Sequence, residues 1–176
     1  MKKITSIIAI LFFIFFTSCT VNDNVQGPKG ENGKDGLLSE VFELKNVNFG
    51  YNANAGYTIF RNLSPNIFAA DNILIYRLSG TINSNTPIWQ LIPRTLYLSQ
   101  GELDYDYDFS KQDFTIYARG NYNLSLTPSY LNNQTFRIVI LPGFFSNKNS
   151  NTINFENYDD VLNYFKIDKN KIKVLN

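Results

Sequence analysis

From Glu40 onward, apolar side chains recur at every second position, in short runs rich in aromatic and β-branched residues and broken by Asn, Gly and Pro. A repeat of two is the pattern of a strand with one buried face. Residues 41–49 alternate through Phe42 and Leu44 and resume at Val47 and Phe49, which predicts a bulge at Lys45-Asn46. Residues 57–60 form a short strand. Residues 73–78 are a nearly continuous apolar run, as expected of a central strand covered on both faces. Residues 88–92 and 95–98 flank Pro93, which has no amide hydrogen to give a ladder and belongs at an edge or a bulge. Residues 103–109 and 114–118 are expected to pair as a hairpin through Ser110-Lys111-Gln112. Residues 136–141 make a second strongly apolar strand, stopped by Pro142-Gly143.

One segment changes period. Phe155, Tyr158, Val161, Leu162 and Phe165 share one face at helical spacing. Asn157 is placed to cap that helix, and Asp159 and Asp160 fall in the first turn, where the helix dipole favours acids. A terminal strand over residues 171–175 is expected to close the sheet. The fold expected is therefore mainly β, an antiparallel β-sandwich or a barrel-like variant with one late C-terminal helix. Fifteen Phe and eleven Tyr are enough to build its core without disulfides.

Residues 1–18 stand apart from this pattern. Lys2 and Lys3 precede an apolar run over residues 7–16 (IIAILFFIFF), too short for a spanning helix of roughly 20 residues. The arrangement is that of a secretory signal peptide. It ends in Thr17-Ser18-Cys19, which resembles the lipobox of bacterial lipoproteins in the loose Ser-Cys form common in Bacteroidota; Phe16 stands where many members carry Leu. The resemblance implies that Cys19 takes a diacylglycerol thioether, that cleavage falls before it, and that the new amino group is acylated. One acyl chain binds a membrane reversibly, whereas two or more anchor it.

A polar tether over residues 20–26 leads to four consecutive Gly-X-Y triplets starting at Gly27, Gly30, Gly33 and Gly36. Glycine at every third position is what a collagen triple helix requires at its crowded axis. Four triplets with a single Pro do not hold a trimer by themselves, so an extended spacer is the main reading and a short trimeric stalk the sharper one. The expected organisation is a lipoprotein signal peptide over 1–18, a lipid-anchored tether and collagen-like spacer over 19–38, and a β-rich domain over 39–176.

Composition narrows the chemistry. The chain has no His and one Cys, which excludes an ordinary zinc site, a His-based triad and an internal disulfide. A net charge of +1 argues against a nucleic-acid partner. Without residues 1–18, fourteen basic residues face fifteen acidic ones, so lipid rather than a basic patch must hold the protein at a membrane. There is no phosphate-binding loop, dinucleotide fingerprint or metalloprotease helix, and no cofactor is expected.

The densest candidate is Asp104, Asp106 and Asp108, alternating with Leu103, Tyr105, Tyr107 and Phe109. On a strand this puts the three carboxylates on one face. An EF-hand also opens D-x-D-x-D, but it needs Gly at its sixth position and Glu at its twelfth, where this chain has Phe109 and Thr115. A glycosidase needs two carboxylates across a cleft. A solvated acidic face, offset by Lys111, Arg119 or Arg137 from neighbouring strands, is the simplest reading. Trp89 with Tyr97, or Tyr51 with Tyr57, are candidate sugar-stacking pairs set against ordinary core packing. Asn62, Asn123 and Asn133 begin glycosylation-type triplets and are read as chance.

Thr17-Ser18-Cys19, GPKGENGKDG (27–36), SEVFEL (39–44), IWQLIP (88–93), DYDYDF (104–109) and FRIVILPG (136–143) together resemble uncharacterised Bacteroidota lipoproteins with a few collagen-like triplets and one β-rich C-terminal domain. The resemblance implies a cell-envelope location, in the outer membrane, and supplies no catalytic residues. The expected function is a lipid-anchored envelope lipoprotein whose β-domain is a non-catalytic binding or structural module, meeting an envelope protein or a glycan. The alternative is a surface glycan-active hydrolase or a calcium-dependent module using Asp104, Asp106 and Asp108.

Overall fold

The computed structural model describes residues 39–83, 85–143 and 153–175; the signal peptide, Cys19 and the glycine-period spacer lie outside these. In chain order the strands are β1 (Glu40–Val47), β2 (Gly50–Asn52), β3 (Gly56–Asn62), β4 (Asn72–Ile82) and β5 (Thr86–Ile92). They continue as β6 (Arg94–Leu98), β7 (Gly101–Phe109), β8 (Asp113–Gly120), β9 (Gln134–Leu141) and β10 (Lys173–Leu175); among the described residues there is one α-helix, α1 (Tyr158–Tyr164), between the last two. They pair into two five-stranded sheets, β10-β1-β9-β4-β5 and β2-β3-β8-β7-β6. The fold is mainly β with the helix late in the chain, consistent with a β-sandwich and not a closed barrel.

Alternation decides what lies between the sheets. Phe42 and Leu44 of β1, Ile73 and Ile75 of β4, and Phe136 and Ile138 of β9 meet Ile59, Leu103, Tyr105, Phe114 and Ile116 from the second sheet. The first sheet is also covered outside. Val41, Tyr76 and Val139, one residue out of phase, pack against Tyr158, Val161 and Leu162 of α1. This is why β4 reads as an unbroken apolar run: Ile73 and Ile75 serve one core and Tyr76 the other.

The local punctuation does what its chemistry allows. Asn46 takes the left-handed conformation (φ 55°) where the β1 register shifts between Leu44 and Val47, and its amide donates to the Thr135 hydroxyl oxygen at 3.3 Å. Pro93 lies between β5, at the edge of one sheet, and β6, at the edge of the other, so the chain changes sheets at the residue least suited to a ladder. Asn157 caps α1, its side-chain oxygen accepting from the amides of Asp159 (3.0 Å) and Asp160 (3.3 Å).

Three expectations need correction, and one strand was not foreseen. The terminal strand does not close a sheet: β10 pairs parallel with β1 at the outer edge. It is also shorter, because Asp168 accepts from the Asn170 amide and draws Lys169–Lys171 into a 3-10 turn. Phe155 precedes the helix and is exposed, since the Asn157 cap starts the helix after it. The short strand β2, with Gly50 and Asn52 at its ends and no apolar alternation, was not anticipated.

Three tyrosines, two buried and one partly buried, tie the layers together through their hydroxyls. Tyr105 donates to the Tyr130 carbonyl (2.7 Å), Tyr107 to that of Ile73 (2.8 Å) and Tyr76 to that of Phe155 (2.6 Å). Burial raises all three proton affinities, and it pushes Tyr105 up to about 12 although the Arg77 charge opposes it. A raised folded-state value means stability that is complete below the ordinary tyrosine value of 10.0 and is lost as pH climbs toward about 12. Urea midpoints measured against pH are expected to fall over that window. Midpoints that stay level from pH 10 to pH 12 would contradict this.

Candidate functional site

The two faces of the second sheet differ. Its inner face is core, while among the described residues no element packs on its outer face. That outer face is built by alternation: with Leu103 and Tyr105 of β7 buried, Glu102, Asp104, Asp106 and Asp108 must point outward. The same rule on β8 sends Phe114, Ile116 and Ala118 inward and Thr115, Tyr117 and Arg119 outward.

The register then decides who meets whom. Asp104 lies opposite Arg119 on one side and Thr95 on the other, and Asp106 lies opposite Tyr117. Thr95 donates its hydroxyl to Asp104, Tyr117 donates to Asp108 at 2.8 Å, and Arg119 reaches Asp106 at 3.6 Å. The Arg119 guanidinium stacks 4.3 Å from the centre of the Tyr117 ring. Arg119 is thus the cation that offsets the acidic stripe. Lys111 and Arg137 do not: Lys111 sits in the β7–β8 turn, where its carbonyl accepts from Ile67, and Arg137 pairs with Glu43 (3.0 Å) on the first sheet.

Pro93, Arg94, Thr95, Asp104, Asp106 and Arg119 line an open cleft of about 360 Å³ on this face. Two carboxylates, the Arg119 guanidinium and a hydroxyl therefore share one shallow surface, with Arg94 at its edge, in register with Tyr105. Arg94, Thr95 and Tyr117 were not singled out as site residues from the sequence. The period-two rule extended to β8 finds Tyr117 beside Arg119, but only the β6–β7 register brings in Thr95. Among the described residues, no group of three acidic or Cys side chains is arranged to hold a metal ion. The three aspartates project in parallel from one strand, each toward a different neighbour.

The aromatic candidates divide. Trp89 and Tyr97 are on different sheets and do not form a pair. Trp89 packs instead beside Tyr158 (5.6 Å between rings) beneath the Arg137 guanidinium at 4.2 Å. Tyr97 is 81% exposed, two residues along β6 from Thr95 and opposite Glu102. Tyr51 and Tyr57 do meet, edge to face at 5.1 Å, on the paired strands β2 and β3. The glycosylation-type asparagines have local structural settings: Asn123 caps a 3-10 turn, Asn133 takes a left-handed turn conformation (φ 54°), and Asn62 ends β3.

Searches with the chain against models of known families, against curated proteins and against solved structures find no match.

Proposed function

We propose that the protein is a lipid-anchored envelope lipoprotein in which Cys19 carries the lipid and the β-sandwich acts as a non-catalytic binding or structural module. The observation that carries this reading is the order Lys2-Lys3, apolar residues 7–16, Thr17-Ser18-Cys19, followed by a polar, glycine-periodic spacer. At roughly 3.1 Å per extended residue, residues 20–38 reach up to about 60 Å, enough to hold a folded domain well clear of a bilayer.

The non-catalytic part is supported by how the best acidic candidates stand. Hydrolysis of a glycosidic bond needs carboxylates that flank it, one delivering a proton from the side opposite the other's attack. Asp104 and Asp106 project side by side from one strand of an uncovered sheet face, with Arg119 and Thr95 as partners.

Metabolic labelling with an alkyne fatty acid tests the anchor. The wild-type chain is expected to incorporate label and partition into detergent, and Cys19→Ala to lose both. Label retained by Cys19→Ala defeats the proposal.

A further inference from the structure

We propose that β6, an open edge of the second sheet, pairs antiparallel with β6 of a second copy about a twofold axis, joining two sandwiches through one continuous sheet. The inference deepens the reading of the domain as a structural module, and it rests on the lipid anchor to bring copies together.

Among the described strands, four lie at sheet edges: β10, β5, β2 and β6. An edge offers unpaired backbone N–H and C=O groups to another strand, and proteins blunt such edges by shortness, proline or bulges. β2 and β10 are three residues long, and β5 carries Pro87. β6 has none of these devices: it runs five residues without proline, and its register with β7 is unbroken. Its side chains show the same open side. Leu103 has no solvent exposure, whereas Leu96, opposite it on β6, packs on the same core and stays only partly buried. Thr95 and Tyr97 are exposed on the outer face.

The sequence of β6 fits a second copy of itself. In an antiparallel pair centred on Leu96, that residue meets the partner's Leu96, and Thr95 meets the partner's Tyr97. The same contacts repeat across the axis, as a closed twofold interface requires. Threonine against tyrosine is a favourable cross-strand pair of β-branched and aromatic side chains. The one charge on β6, Arg94, meets the partner's Leu98 and not another charge. The acidic stripes of the two β7 strands stand three strand spacings apart, about 14 Å, beyond the screening length of about 8 Å at physiological salt.

Size sets the strength. Five residues at about 3.3 Å each give an edge of roughly 16 Å, too short to bury the roughly 1,000 Å² of a stable free dimer. The pair is therefore weak in dilute solution and forms where anchoring confines copies to one surface at high effective concentration.

The test mixes two full-length chains in lipid vesicles under mild oxidation, one carrying Thr95→Cys and the other Tyr97→Cys. Opposed residues of an antiparallel pair lie within disulfide reach, whereas Thr95 and the partner's Thr95 would stand about 8 Å apart, outside it. The mixture is expected to give at least ten times the disulfide-linked dimer of either variant alone, rising with the protein-to-lipid ratio. Both positions are exposed, and Trp89 fluorescence reports that each variant is folded. No dimer in the mixture, or equal yields in all three samples, overturns the inference. A chain that stays out of the vesicles, or a disulfide through Cys19 in the wild type, counts against the anchor instead. The same mixtures concentrated in solution then decide the pairing by the same comparison of yields.

Discussion

Phe136→Ala is expected to lower the unfolding free energy by about 3–5 kcal/mol, a large part of what a domain of this size has to lose. Phe136 has no solvent exposure and sits near the start of β9, the central strand of the first sheet. Its ring meets Phe49 edge-on at 6.0 Å and Tyr105 at 6.4 Å, and Phe49 meets Tyr105 at 5.9 Å. Those partners come from the β1–β2 crossing and from β7, so one ring joins both sheets and a connection between them. Truncation loses the transfer energy of the ring and leaves a cavity that strands held on both sides cannot collapse into. Urea unfolding followed by the single Trp89 measures it. Phe60→Ala, at 52% exposure on the bare face, is the comparison and should cost less than about 0.5 kcal/mol. A loss below about 1 kcal/mol for Phe136→Ala would mean that the aromatic trio does not hold the sheets together.

The strands were legible because their signal is local. Alternation at residues 41–44, 103–109 and 114–118 names the buried residues directly, and the hairpin between the last two closes at Ser110 as its spacing suggests. The division into two sheets was not legible, because it depends on pairing across long stretches of chain. β1 and β9 are neighbours, yet Glu43 and Arg137, which face each other, are 94 residues apart. The site shows the same boundary. That the aspartates share a face follows from a repeat of two. Which of Lys111, Arg119 and Arg137 would meet them could not be chosen without the register. Trp89 and Tyr97 looked like a pair because they are close in sequence, and Pro93 places them on different sheets. The free ring of Tyr97 emerged only from that separation.

Arg77 is the residue whose burial was least expected, and it yields an asymmetric prediction. It follows Ile75 on the inward face of β4, is 8% exposed, and pairs with no carboxylate among the described residues. Its charge is met by the Tyr105 ring, 4.6 Å from the guanidinium carbon, and its Nε donates to the Gln134 side-chain oxygen at 2.9 Å. Gln134 spends its other end on the carbonyls of Ser129 and Asn132, at 2.8 and 2.7 Å, fastening the loop before β9. Gln134→Ala strands a buried cation and releases that loop, and is expected to cost about 3 kcal/mol. Arg77→Met removes the charge, keeps an unbranched apolar stem in place, and should cost less than half as much, since exchanging a buried ionic group for a hydrophobe of similar shape is often neutral. In the double variant there is no guanidinium left to strand, so the combined loss should fall short of the sum of the single losses. Urea midpoints for the three variants decide it. An Arg77→Met loss equal to that of Gln134→Ala would show that the buried charge is itself stabilising, through its stacking on Tyr105, rather than a liability that Gln134 neutralises.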